Sequence, residues 1–105
     1  ARAIPAFMGA SIALHHHERW DGTGYPHGIA GTDIPLAARI TMLCDQYDAL
    51  RSRRPYKPPL SHEQAYQIIT EGDGRTQPGH FDPDVLAAFI RTRDRFNDIY
   101  NANID

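Results

Sequence analysis

Residues 34 to 53 make a segment that is apolar around almost its whole circumference, and this limits the possible folds more than any other feature. Placed at about 100° per residue, Leu36, Ile40, Leu43, Tyr47 and Leu50 share one face and Ala38, Thr41, Met42 and Ala49 the opposite one. Plainly polar positions are confined to a narrow stripe of Arg39, Gln46 and Arg53. A helix of this kind is expected to be surrounded by other helices. Pro35 sits in its first turn, where a missing N–H costs nothing, and Pro55, Pro58 and Pro59 stop it. Asp45 falls among the small residues of the second face. If that face is buried, the carboxylate needs a partner, because a lone buried charge is costly. A metal ion would be one such partner.

The remaining pattern is helical too, with no convincing alternation of period two. A first helix is predicted over roughly 3–17, with Ile4, Phe7, Met8 and Ile12 on one face. A loop over roughly 18–33 carries Gly22, Gly24, Gly28 and Gly31. Ser61 and Gln64 form a capping box that opens a third helix ending near Gly72. After a polar loop at 73–81, Asp82 caps a fourth helix with Pro83 at its first position and Val85, Leu86, Phe89, Phe96 and Tyr100 as its apolar stripe. The expectation is an all-α bundle of about four helices in one domain or part of one.

Composition narrows the function class. The net charge of −2 gives no general attraction to nucleic acid or to a membrane surface. No apolar run reaches the length of a membrane span. A single cysteine, Cys44, forms no internal disulfide, which suits a reducing cytoplasm.

Four groups of residues could carry chemistry. His15, His16 and His17 run into Glu18 at the end of the first helix. Imidazole is the commonest metal-binding side chain. Neighbouring residues of a regular helix point about 100° apart, so two histidines would serve two ions, or one where the helix unwinds. The plainer alternative is a polar helix end. Asp45 and Asp48 stand one turn apart, as ligands or as solvated charge. Arg51, Arg53, Arg54 and Lys57 either complement the helix dipole or recognise phosphate, which a planar guanidinium can hold through two oxygens. Gly24, Tyr25 and Pro26 form a rigid loop that either presents a ring to a nucleobase or anchors itself with it.

Taken together these segments resemble the HD-GYP family. The match runs through His16-His17-Glu18, Trp20-Asp21-Gly22-Thr23-Gly24-Tyr25-Pro26, Gly28, Gly31, Ile34-Pro35-Leu36, Ala38-Arg39-Ile40 and Asp45. It continues through Tyr47-Asp48-Ala49-Leu50, Arg54-Pro55-Tyr56-Lys57, Ser61, Glu63, Ala65 and Phe81-Asp82-Pro83. The resemblance implies an HD-superfamily helical bundle holding two or three divalent metal ions, iron or manganese, that hydrolyses cyclic di-GMP to the linear dinucleotide and then GMP in bacterial signal transduction. It implies His16, His17 and Asp45 as metal ligands. It implies Tyr25, Arg54 and Lys57 as contacts to the cyclic dinucleotide. Glu18, Asp21, Gly24, Pro26 and Asp48 are implied in supporting roles, and His15 in none.

One departure matters. The family's His-Asp pair lies upstream of the His-His-Glu segment, and residues 1–15 hold no histidine before His15 and no aspartate. Residues 1–105 are therefore expected to be the C-terminal portion of one such domain, with an incomplete metal site, weak metal binding and no hydrolysis when isolated. The uncovered apolar face of the second helix is expected to promote self-association. Two other readings are a non-catalytic module that senses cyclic di-GMP or meets diguanylate cyclase (GGDEF) domains through its Gly-Tyr-Pro loop, and another HD-superfamily nucleotide phosphohydrolase. Tyr25, Arg54 and Lys57 argue against the last.

Overall fold

Prolines, caps and glycines set the helix boundaries in a computed structural model that describes residues 6–52 and 57–103, with side chains described from residue 11 onward. The expected helix start at residue 3, the side chains of Ile4, Phe7 and Met8, and Arg53, Arg54, Pro55 and Tyr56 lie outside the described residues. Helix α1 spans Ala6–His15, α2 Leu36–Arg51, α3 His62–Glu71, α4 Pro83–Arg91 and α5 Arg93–Asn103, with short 3-10 turns at Gly31–Asp33 and Pro78–His80. Among the described residues the fold is all-α, and no helix is long and apolar enough to cross a membrane.

The caps hold as read. Ser61 accepts from the Gln64 N–H while the Gln64 side chain accepts from the Ser61 N–H, and the Asp82 carboxylate accepts from the Asp84 N–H with Pro83 just inside. The predicted single fourth helix is instead two, α4 and α5. The Thr92 hydroxyl donates to the Ala88 carbonyl at 2.7 Å, and the Thr92 backbone sits at φ −111°, ψ 19°, outside the helical basin. A threonine that bonds back onto the preceding turn bends a helix. The bend lets Phe89 and Phe96 meet edge to face at 4.8 Å between ring centroids.

The core gathers on one side of α2. Leu43, Tyr47, Leu50, Ala65, Ile69, Phe81 and Phe89 form one buried cluster. Tyr47 is its hub, with edge-on rings from Phe89, Phe96 and Tyr100 at 5.9, 5.4 and 6.4 Å. Its hydroxyl is hydrogen-bonded to His62 Nδ1 at 2.9 Å and accepts from Arg51. Because that hydroxyl is satisfied, a polar group sits in the core without the penalty of an orphaned donor.

Two expectations for α2 are corrected. The helix is not surrounded: Leu36 and Ile40 are 54% and 44% exposed. Asp45 is not buried either, with a side chain 62% exposed, so burial does not oblige it to take a partner. The physical reason is geometric. Apart from α1, the helices that pack on α2 among the described residues are α3, α4 and α5, and all three cover its Tyr47 side. The described members of the polar stripe, Arg39 and Gln46, in turn face inward. Arg39 pairs with the buried Asp82, and Gln46 donates to Thr76 Oγ1 at 2.9 Å.

A candidate metal and phosphate cleft

Helix α1 ends at His15, two residues before the predicted end, so His16 and His17 occupy the turn that follows it. Their rings approach to 3.9 Å between centroids, which a regular helix would not permit for adjacent residues. His16 Nδ1 lies 3.0 Å from the Ile12 carbonyl and 3.1 Å from that of Ala13. A carbonyl only accepts, so the proton sits on Nδ1 and the Nε2 lone pair is free. That arrangement orients imidazoles toward metals. The freed Nε2 faces Asp45 Oδ2 of α2 at 4.0 Å.

The Gly-rich segment folds back over this pair. Glu18 is the fastener: it is 1% exposed, and its two carboxylate oxygens accept the N–H groups of His27 and Gly28 at 3.0 and 2.8 Å. Asp21 accepts from the N–H and hydroxyl of Thr23 at 3.0 and 2.6 Å, closing a small turn. Partial burial pushes the Asp21 carboxyl up, but the Thr23 bonds and the charges of His80 and Arg19 hold it below the usual 3.8. Gly24 lies against the end of α1, where a Cβ would fall 2.6 Å from the Glu18 Cα and press on backbone atoms of His17 and Arg19. This close approach delivers Tyr25, whose N–H donates to the His17 carbonyl at 3.2 Å and whose ring stacks on His17 at 4.8 Å. Tyr25 is nonetheless 61% exposed, so its second face is open. Pro26 follows through a cis peptide bond.

His16, His17, Tyr25 and Asp45 thus line one cleft of about 350 Å³, together with Arg19, Met42, Gln46, Ala49, His80 and Phe81. Lys57 is exposed, and Asp48 lines a different, apolar groove between α2 and α5. His15 does not line the cleft; its Nδ1 stands 3.8 Å from Glu18. Arg19 and His80 are the cleft residues that sequence reasoning missed. Arg19 stands in the gap between Glu18 and Trp20 of the quoted match and carries no spacing signal, and His80 arrives from a loop remote in sequence.

The donor set suits a divalent cation. Ligands about 2.1 Å from one tetrahedral ion stand about 3.4 Å apart, so His16 and Asp45, at 4.0 Å, would close by about half an ångström on a shared ion. It is a partial set. Among the described residues no group of three or more His, Cys, Asp or Glu side chains converges as a metal site.

The sequence profile of the HD domain family matches residues 8–85. A cyclic di-GMP phosphodiesterase of Vibrio cholerae is 53% identical over 89 residues, which cover 85% of this chain and 17% of that protein. A cyclic di-GMP phosphodiesterase of Thermotoga maritima is 41% identical over 98 residues, covering 93% of this chain and 26% of its own. A 3′3′-cGAMP-specific phosphodiesterase of Vibrio cholerae is 41% identical over 89 residues, 85% of this chain and 16% of that one. The chain therefore spans between about a sixth and a quarter of the length of these relatives.

Proposed function

Because the chain belongs to the HD domain family, we propose that it forms the C-terminal portion of a metal-dependent HD-GYP phosphodiesterase domain that hydrolyses cyclic di-GMP. The observation that carries this reading is the convergence of His16 and His17 from the end of α1, Tyr25 from the Gly-rich loop and Asp45 from α2 on one cleft. The relatives' names support the substrate.

His16, through its free Nε2, and Asp45 would hold a divalent ion, with His17 beside them. Two or three such ions, iron or manganese, occupy the whole domain, whose further ligands come from chain outside these 105 residues. A bound divalent ion supplies Lewis acidity toward water and toward the phosphoryl oxygens. The protein's own part is positional. The Ile12 and Ala13 carbonyls keep the proton of His16 on Nδ1, so that Nε2 stays a donor to metal. Tyr25 offers its open face to a guanine ring, braced from behind by His17. Arg54 and Lys57 hold the phosphodiester and oppose its growing charge. Glu18, Asp21, Gly24 and Pro26 set the loop that carries Tyr25, and Asp48, on α2 outside the cleft, keeps only a supporting role. The products are the linear dinucleotide and then GMP.

The natural protein that carries this segment works in the cytoplasm, and the Gly-Tyr-Pro loop offers a contact to diguanylate cyclase domains. The isolated 105 residues self-associate through the exposed Leu36 and Ile40.

The test is hydrolysis of cyclic di-GMP by that natural protein loaded with manganese. His16→Gln and Asp45→Asn are expected to lower turnover by at least about a hundredfold and to reduce bound metal. Wild-type turnover that survives both changes would sink the reading.

A further inference from the structure

Arg19 is half-buried in the cleft wall and makes no side-chain hydrogen bond or ion pair among the described residues. An arginine tucked into a wall keeps its charge, since its guanidinium does not deprotonate. The cleft therefore holds a cation with no protein counter-ion in contact with it.

His80 stands in the same wall and is 8% exposed. Its Nδ1 accepts the Gln77 N–H at 3.3 Å, so in the neutral ring the proton is on Nε2. That Nε2 has no acceptor within hydrogen-bond reach among the described residues; Asp21 Oδ2 stands 3.8 Å away. The other oxygen of Asp21 is already engaged by Thr23. Burial and the nearby Arg19 charge hold the His80 imidazole below its usual 6.5 against the pull of Asp21, which favours the neutral ring. The wall thus presents one unpaired cation and one spare N–H donor toward the cleft that His16 and Asp45 enter from other elements.

We propose that Arg19 and His80 form an anion-binding wall that grips a phosphodiester oxygen of the substrate, Arg19 by charge and His80 through Nε2–H. This rests on the phosphodiesterase reading and adds to it two substrate-binding residues supplied by the loop and the Pro78–His80 turn. Such a grip is separate from metal binding, because neither residue has its nitrogens among the His16–Asp45 donor pair. A guanidinium suits this task because it matches two phosphate oxygens at once.

The experiment is calorimetric titration of the natural protein with cyclic di-GMP, both manganese-loaded and metal-free, alongside metal analysis and steady-state kinetics. Arg19→Ala is expected to weaken binding by about tenfold or more, the size of a lost hydrogen bond to a charged group, with metal content unchanged. Arg19→Lys is expected to recover part of the affinity. His80→Phe is expected to raise KM several-fold with little change in kcat, and His80→Gln, which keeps an amide donor at the same reach, to restore it. Arg19→Ala and His80→Phe proteins that bind as tightly as wild type overturn the proposal. So does a loss that tracks metal content. Wild-type protein that binds cyclic di-GMP in neither state overturns the phosphodiesterase reading as well, which distinguishes the two failures.

Discussion

Single side chains decide whether the loop reaches the cleft. At Gly24 an added methyl meets backbone on three sides, and backbone cannot rotate away as a side chain does. At Gly31 nothing lies within 4 Å, and the cost is only that of a left-handed φ of +58°. Gly24→Ala is therefore expected to destabilise by about 2–3 kcal/mol and Gly31→Ala by about 1–2 kcal/mol, as read by denaturant unfolding. Equal costs would contradict the close approach. His80 gives a pH signature. Burial holds its folded pKa below the ordinary 6.5. The unfolded chain therefore binds more protons between those two values, and stability rises with pH across that window. Wild-type stability should fall as pH drops below about 6.5, and His80→Gln should lose that slope. An unchanged slope in the variant would assign it to another group.

At the scale of elements, the reading of the sequence succeeded where the cause is local. The Ser61–Gln64 box and the Asp82–Pro83 start are properties of four or five consecutive residues, and both are as expected. It failed where the cause is tertiary. The break at Thr92 depends on a hydroxyl choosing the Ala88 carbonyl, and that choice is worth making only because Phe89 and Phe96 can then close on each other around Tyr47. The pattern of α2 also misled for a tertiary reason. Arg39 looks like a solvent stripe, yet its partner Asp82 lies 43 residues away, and no helical periodicity reports that. Tyr47→Phe tests the hub. The change keeps the ring but orphans the buried His62 Nδ1 and removes one of two acceptors from the half-buried Arg51, so a loss of about 1–3 kcal/mol is expected, measured by chemical denaturation. A neutral outcome would mean that water replaces the hydroxyl.

At the scale of the whole molecule, the Arg39–Asp82 pair ties the start of α2 to the start of α4. Although burial pushes the Asp82 carboxyl up, the Arg39 guanidinium and the backbone N–H groups of Asp84 and Val85 hold it below the usual 3.8. A depressed carboxyl contributes stability above its unfolded value and loses it as pH falls through the folded one. Acid unfolding should thus show a component below about pH 3.8 that Asp82→Asn abolishes. The outer face sets the second expectation. Leu36, Ile40 and Ile99 are 54%, 44% and 62% exposed. Light scattering should show self-association that Leu36→Glu with Ile40→Glu reverses; a wild-type monomer at high concentration would contradict it. The cleft itself was half legible. His16, His17, Tyr25 and Asp45 came from the motif, whereas Arg19 and His80 needed three-dimensional proximity.

Asp45 and Tyr47 sit on the same stretch of α2, one facing the cleft and the other the core. The Asp45 side of the cleft therefore has no private way of coming apart. Its amide protons exchange only when the cooperative unit containing the core opens. The Tyr25 side is different, since a few local bonds, from the His27 and Gly28 N–H groups to Glu18 and from the Tyr25 N–H to His17, fasten it and residues 25–28 are exposed. The cleft joins a slow wall to a fast one, and admission of a bulky ligand would be timed by the fast one.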